Sequence, residues 1–155
     1  MSVRPDLVAC WLFRLDAAGR PEILLIRRAP GRLYPGLWQC VTGKLEAGEQ
    51  ILAGALREVL EETGLAAADL EAVFETDIVN WFHMALLDTL LSEAVFAARV
   101  RPDASIHLSD EHDDARWLAP EAAKALVTWP AYERAIDLVA WLLANPAKAE
   151  QFRCR

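Results

Sequence analysis

The chain has 155 residues, is 54% hydrophobic and carries a formal net charge of −7. This length suits one domain with a substantial core, while the acidity gives no electrostatic footprint for a DNA or RNA strand. No uninterrupted apolar run reaches the roughly 18 residues of a membrane helix, and Asp137 interrupts even Ala135–Ala144. The chain start shows no basic-plus-apolar leader pattern, and Cys10, Cys40 and Cys154 lack metal-ligand spacing. Reduced thiols in a cytoplasmic protein are therefore expected.

In chain order, Leu7–Leu15 is largely apolar, Asp16–Glu22 holds a Gly and a Pro, and Ile23–Ile26 is a short β-like run. Together they predict a hairpin. Ala29–Gly36 reads as a loop, and Trp38–Thr42 as a strand. From Gln50 to Thr63 there is no Pro, and Ile51, Leu52, Ala55, Val59 and Leu60 recur at helical spacing. Gly64 stands where a helix needs a left-handed closing residue. Leu70–Phe82 and Ala94–Val100 are strand candidates, and His83–Leu91 fits either a short helix or an apolar loop. Leu86, Leu87, Leu90 and Leu91 there suit core or subunit contacts, with a pocket lining as the alternative; a homodimer is left open. Ile106–Leu108 and Ala115–Leu118 bracket an acidic turn. Pro120 and Pro130 each open a helix, the second ending at Asn145-Pro146. Residues 1–146 form the expected domain, and 147–155 a frayed tail. Strands first, one helix between strands and helices last predict an α/β fold with a mixed sheet between helices.

The chemistry concentrates in residues 43–65, GKLEAGEQILAGALREVLEETGL. Glu58, Glu61 and Glu62 stand at i, i+3 and i+4, so their carboxylates share one helix face. Like charges on one turn repel, and a solvated acidic face is the ordinary explanation. This cluster, however, ends a glycine-containing loop–helix unit and is accompanied by a second acidic cluster at Asp110–Asp114. A site for a hard cation explains both better, because Mg²⁺ and Mn²⁺ prefer oxygen ligands shared with water and phosphate.

Gly43, Glu49, Arg57, Glu58, Val59, Glu61, Glu62, Gly64 and Leu65 match every specified position of the Nudix box. A chance match at one site is on the order of 10⁻⁹ from average residue usage, which makes the signal specific. The chain thus resembles a Nudix hydrolase, a family that cleaves nucleoside diphosphate linkages with divalent metal. The resemblance implies an α/β/α sandwich, with Mg²⁺ (Mn²⁺ as the alternative) held mainly by Glu58 and Glu62 and assisted by Glu61. It also implies that Glu49 orients Arg57, bracing the loop, and that a carboxylate outside the box joins the metal or takes the proton of water. Glu111 is the choice for that role. Glu46 is either a further ligand or a solvated side chain, and Lys44 either meets a phosphate or is an ordinary exposed lysine.

The outer motifs Trp38-Gln39, Ser109-Asp110-Glu111-His112 and Trp129-Pro130 resemble the bacterial subgroup acting on dATP and dihydroneopterin triphosphate. A flat heterocycle can be sandwiched by an aromatic or Arg plane; Trp38, Trp81, Phe82, Arg27, Arg28, Arg32 and Tyr34 are candidates. Of Arg27 and Arg28, one is expected to reach a phosphate, and Arg27 is chosen. Trp11, Trp117 and Trp141 are assigned to the core. His112 is more easily read as structural than as catalytic. The expected reaction converts a nucleoside or pterin triphosphate to the monophosphate and pyrophosphate. The rivals are a dinucleoside polyphosphate or nucleotide-sugar hydrolase and a non-catalytic nucleotide-binding module.

Overall fold

The computed structural model describes residues 2–155. Strand β1 (Leu7–Leu15) turns back into β2 (Pro21–Arg28), and the hairpin is antiparallel, as expected. The expected strand at 38–42 is two short pieces, β3 (Trp38–Gln39) and β4 (Val41–Lys44), which pair with different neighbours. β3 runs beside β2 and β4 beside β1. The chain therefore crosses from one strand to the other at Cys40, and this crossing delivers Gly43 and Lys44 to the start of the box. Helix α1 (Ile51–Thr63) follows and closes at Gly64 with φ 74°, its N–H bonded to the Leu60 carbonyl.

Strands β5 (Leu70–Met84) and β6 (Thr89–Val100) form a long antiparallel hairpin, and β6 lies parallel to β1. Strand β7 (His112–Leu118) pairs with β2. The sheet is thus mixed and seven-stranded. Helices α2 (Pro120–Leu126), α3 (Pro130–Ala144) and α4 (Pro146–Ala149) complete the chain.

Alternation along β1 explains the layers. Val8, Cys10 and Leu12 pack with Ala55 and Val59 of α1, whereas Ala9, Trp11 and Phe13 pack with Ala135, Ile136 and Val139 of α3. A strand covered on both faces needs a continuous apolar sequence rather than an alternating one, and Val8–Phe13 supplies it. The result is the expected α/β/α sandwich.

Four expectations change. Ile106–Leu108 is not a strand, because its backbone satisfies the end of α1 instead: His107 N–H donates to the Thr63 carbonyl at 2.8 Å and Ser109 N–H to that of Glu62 at 3.4 Å. Residues 83–91 are neither helix nor plain loop. β5 continues to Met84, a tight 3₁₀ turn spans Ala85–Leu87, and Asp88 reverses the chain with φ 45°. Leu86, Leu87 and Leu90 are exposed there and belong to no core. Trp141 is partly exposed, edge-on to Phe152, and Trp117 is half-buried under the Arg14 guanidinium, so only Trp11 is a true core tryptophan. Finally, the tail is docked. Ala149 is buried, Arg153 forms a bridge with Phe74, and Cys154 N–H donates to the Val73 carbonyl at 2.8 Å. Among the described residues, no helix is long and apolar enough to cross a membrane.

Candidate active site

The glutamates of α1 are not equivalent, and helix phase explains why. Ala55, Val59 and Glu62 lie at i, i+4 and i+7, so Glu62 occupies the buried stripe and is only 3% exposed. Glu58, one turn earlier, is mostly covered, while Glu61 faces outward. The covering element over Glu58 is the β4 backbone: a Cβ added at Gly43 would overlap the Glu58 carboxylate. That position admits only glycine because loop and helix approach so closely.

Arg57 ties the unit together. Its Nε and one Nη grip both oxygens of Glu49 at 2.8 and 3.1 Å. Its remaining donors reach Glu58 (2.7 Å), Glu61 (3.1 Å) and the Lys44 carbonyl (3.0 Å). All five guanidinium N–H groups are therefore used. The Arg57 hydrogen bonds, joined by the Glu46 N–H, hold the Glu49 carboxyl down at about 2. The brace implied by the sequence is formed. Glu46 contributes backbone groups to it, donating to Glu49 Oε2 and accepting from Arg4, while its carboxylate is exposed.

Glu62 has the opposite surroundings. Burial, then the nearby Glu58 and Glu111 carboxylates, push its pKa up to about 9, against weaker help from the Thr42 N–H and Arg28. Its Oε2 has no hydrogen-bond partner. Burial likewise raises the Glu58 carboxyl, with Arg57 opposing. A cleft of about 320 Å³ is lined by Glu58, Glu61, Glu62, Ser109, Asp110 and Glu111. The acidic turn therefore faces the box helix, as expected. Oxygens of Glu62 and Glu111 and a ring nitrogen of His112 lie within 4.8 Å of one another. A buried carboxylate with an unpartnered oxygen, next to two more carboxylates, fits a hard divalent cation and fits little else.

Several residues around this centre were under-read in the sequence. His112 is buried, and its Nε2 stands 3.0 Å from Gln39 Nε2. With that amide donating, the ring proton sits on Nδ1, which has no partner. Burial, then Arg28 and Arg32, lower its pKa to about 4, so the ring is neutral. Arg28, not Arg27, is the arginine whose charge acts on Glu62 and His112. Arg27 is paired with Asp113 at 2.7 Å and lies against Trp38, which packs with the α3-side core on the other face of the sheet. Strand alternation carries the signal: Arg28 shares the α1-side face with Ile26. Arg32 bonds Asp110 at 3.2 Å and pairs with Glu111 at 3.6 Å, and Ala29 N–H donates to the Glu111 carbonyl at 2.9 Å. The loop after β2 is thereby fastened to the acidic turn. Lys44 is exposed at the end of β4, and Trp81 is exposed on β5 and does not line the carboxylate cleft.

A family model described as the NUDIX domain matches residues 4–142. The chain belongs to the Nudix family. It is 41% identical over 108 residues to an octanoyltransferase of Myxococcus xanthus, covering 68% of this chain and 29% of that protein. It is 32% identical over 108 residues to the NAD-capped RNA hydrolase NudC of Pseudomonas aeruginosa, covering 69% and 35%. The chain thus spans about a third or less of these curated relatives. Among solved structures it resembles a C. elegans Ap4A hydrolase, with TM-score 0.77, 19% identity, and 92% and 99% coverage of the two chains. It also resembles the E. coli dihydroneopterin triphosphate pyrophosphohydrolase, with TM-score 0.69, 26% identity, and 84% and 92% coverage.

Proposed function

We propose that this Nudix hydrolase is a Mg²⁺- or Mn²⁺-dependent pyrophosphohydrolase that converts a nucleoside or pterin triphosphate to its monophosphate and pyrophosphate. The observation that carries the metal is the orphaned, buried oxygen of Glu62 facing Glu58 and Glu111. Glu58 and Glu62 would hold the ion, with Glu61 assisting. A bound ion there would neutralise phosphoryl oxygens and make water a stronger acid.

The chain's own residues supply the rest. Arg57 and Glu49 fix the loop so that Gly43 and Lys44 sit against the carboxylates. Lys44, exposed beside the box, and Arg28, whose charge acts on Glu62, would meet phosphate oxygens. Glu111 takes the proton of the attacking water as the P–O–P bond breaks, because it enters from a separate turn and is not locked into the Arg57 network. The triphosphate reading is supported by the likeness to the dihydroneopterin triphosphate enzyme together with Trp38-Gln39, Glu111-His112 and Trp129-Pro130. The Ap4A likeness, at 19% identity, is one of fold. The three thiols are weak nucleophiles: burial pushes Cys10 up to about 12 and also raises buried Cys40 and the partly buried Cys154.

A hydrolysis panel with Mg²⁺ tests this. dATP or dihydroneopterin triphosphate should be turned over with higher kcat/KM than Ap4A, ADP-ribose or NAD, giving monophosphate plus pyrophosphate. A clear preference for a dinucleotide or ADP-ribose would reject the substrate class. No metal-dependent turnover of any of them would favour the binding module.

A further inference from the structure

β1 pairs with β6 only over Glu93–Arg99, whereas β5 and β6 stay paired as far as Met84 and Thr89. The outer part of the hairpin therefore projects beyond the sheet as a two-stranded ribbon. Such a ribbon alone in water is marginally stable. This one is also apolar. Leu86 is 85% exposed, Leu87 62% and Trp81 56%, with Val79, Phe82 and Leu90 exposed beside them.

Charge narrows what can cover it. Between Asn80 and Ser92 the only ionisable side chains are His83 and Asp88, which bond one another at 3.0 Å. The chain as a whole carries −7. A ribbon without free cations on an acidic protein is repelled by an anionic lipid surface or a nucleic acid. Two copies of the chain also repel, and the repulsion is least across the outer ribbon, because the exposed carboxylates of β5, Glu75 and Asp77, lie inward of Val79.

Edge geometry and area fit the same occupant. Arg153 and Cys154 cover the outer edge of β5 only at Val73 and Phe74. Beyond them, among the described residues, no strand pairs with that edge. An open edge meets its own copy antiparallel across a two-fold axis, each strand supplying the donors the other lacks. Val79, Trp81 and Leu90 share one ribbon face, and Leu86 and Leu87 stand at its tip. These five side chains offer on the order of 500 Å² per copy, which matches the roughly 1,000 Å² in all that a biological interface needs. We propose that the β5–β6 ribbon joins two copies of this chain in a two-fold dimer, with the open edge of β5 and the Trp81, Leu86, Leu87 and Leu90 side chains burying one another.

Sedimentation of the full chain at micromolar concentration tests the proposal. The wild type should sediment with twice the 17.3 kDa protomer mass. Added salt should tighten the dimer, since it screens the repulsion and leaves the apolar contact intact. Leu86→Glu with Leu87→Glu, and separately Trp81→Glu, should give monomers with unchanged circular dichroism. Hydrogen exchange locates the interface without any variant: amides of Val79–Met84 should gain protection as wild-type concentration rises. A wild type that is monomeric at every concentration and salt would overturn the proposal. So would a dimer whose 79–84 amides do not respond to concentration.

Discussion

Glu62 and Glu93 are about equally hidden, at 3% and 5% exposed, but only Glu93 has partners for both oxygens. Asn80 Nδ2 donates to one at 2.9 Å and the Thr42 hydroxyl to the other at 3.0 Å. Glu62 keeps an oxygen without a donor and has two carboxylates for neighbours. A buried carboxyl with both oxygens bonded ties strands together; one left open among other carboxylates must take up a proton to stay buried, which raises the free energy of the metal-free fold at neutral pH. The contrast separates a carboxylate used for architecture from one whose open oxygen the proposed ion would fill.

The two positions should respond oppositely to the same substitution. Glu62→Gln should lower kcat by about 1,000-fold or more, since a direct ligand must outweigh the roughly 10–100-fold of an outer-shell partner. It should also raise the melting temperature of the metal-free protein at neutral pH, because folding no longer requires this carboxyl to take up a proton. Glu93→Gln should keep kcat near the parent's but cost about 1–3 kcal/mol, as one donor loses its acceptor. Steady-state kinetics and thermal melts of both variants check this. Equal losses of activity would erase the distinction.

Next in size is Glu111→Gln, expected to lower kcat about 100-fold with little change in KM, the behaviour of a proton acceptor. Asp110→Asn should do much less, though it lines the same cleft. Similar effects from both would make the turn a general acidic wall. A smaller loss, about 10-fold, is expected for Arg57→Lys, because three ammonium donors cannot replace the five N–H groups now engaged. Wild-type kinetics in that variant would show the brace to be incidental.

A separate expectation concerns stability against pH. The Glu62 carboxyl titrates near 4.5 when unfolded and near 9 in the metal-free fold, so the fold binds the extra proton between these values. Stability from this group is therefore full below about pH 4.5 and is lost as pH rises towards 9. Melts of the metal-free wild type should show that decline, and Glu62→Gln should lack it.

Local spacing made the box helix and its closing Gly64 legible in the sequence, whereas the Glu49–Arg57 brace and the approach of Glu111 to the box were implied by the family resemblance. The sequence did not reveal the different standing of Glu58, Glu61 and Glu62, which depends on how α1 rolls onto β4. Choosing Arg28 over Arg27 required knowing which sheet face α1 covers. Ile106–Leu108 has strand-forming residues, yet its N–H groups serve the end of α1. The 83–91 segment misled because its leucines suggest burial, and they stand on an exposed ribbon instead.

The central claim is that the open oxygen of Glu62 exists for a divalent ion. A ligand that binds only the fold raises its stability, and binding at this site must release the Glu62 proton. Thermal melts with and without Mg²⁺, taken from pH 6 to pH 9 on wild type and Glu62→Gln, test it most directly. The account predicts a Mg²⁺-induced upward shift in wild type that strengthens as pH rises, and almost none in Glu62→Gln. An equal shift in both proteins, or none in wild type, would contradict it.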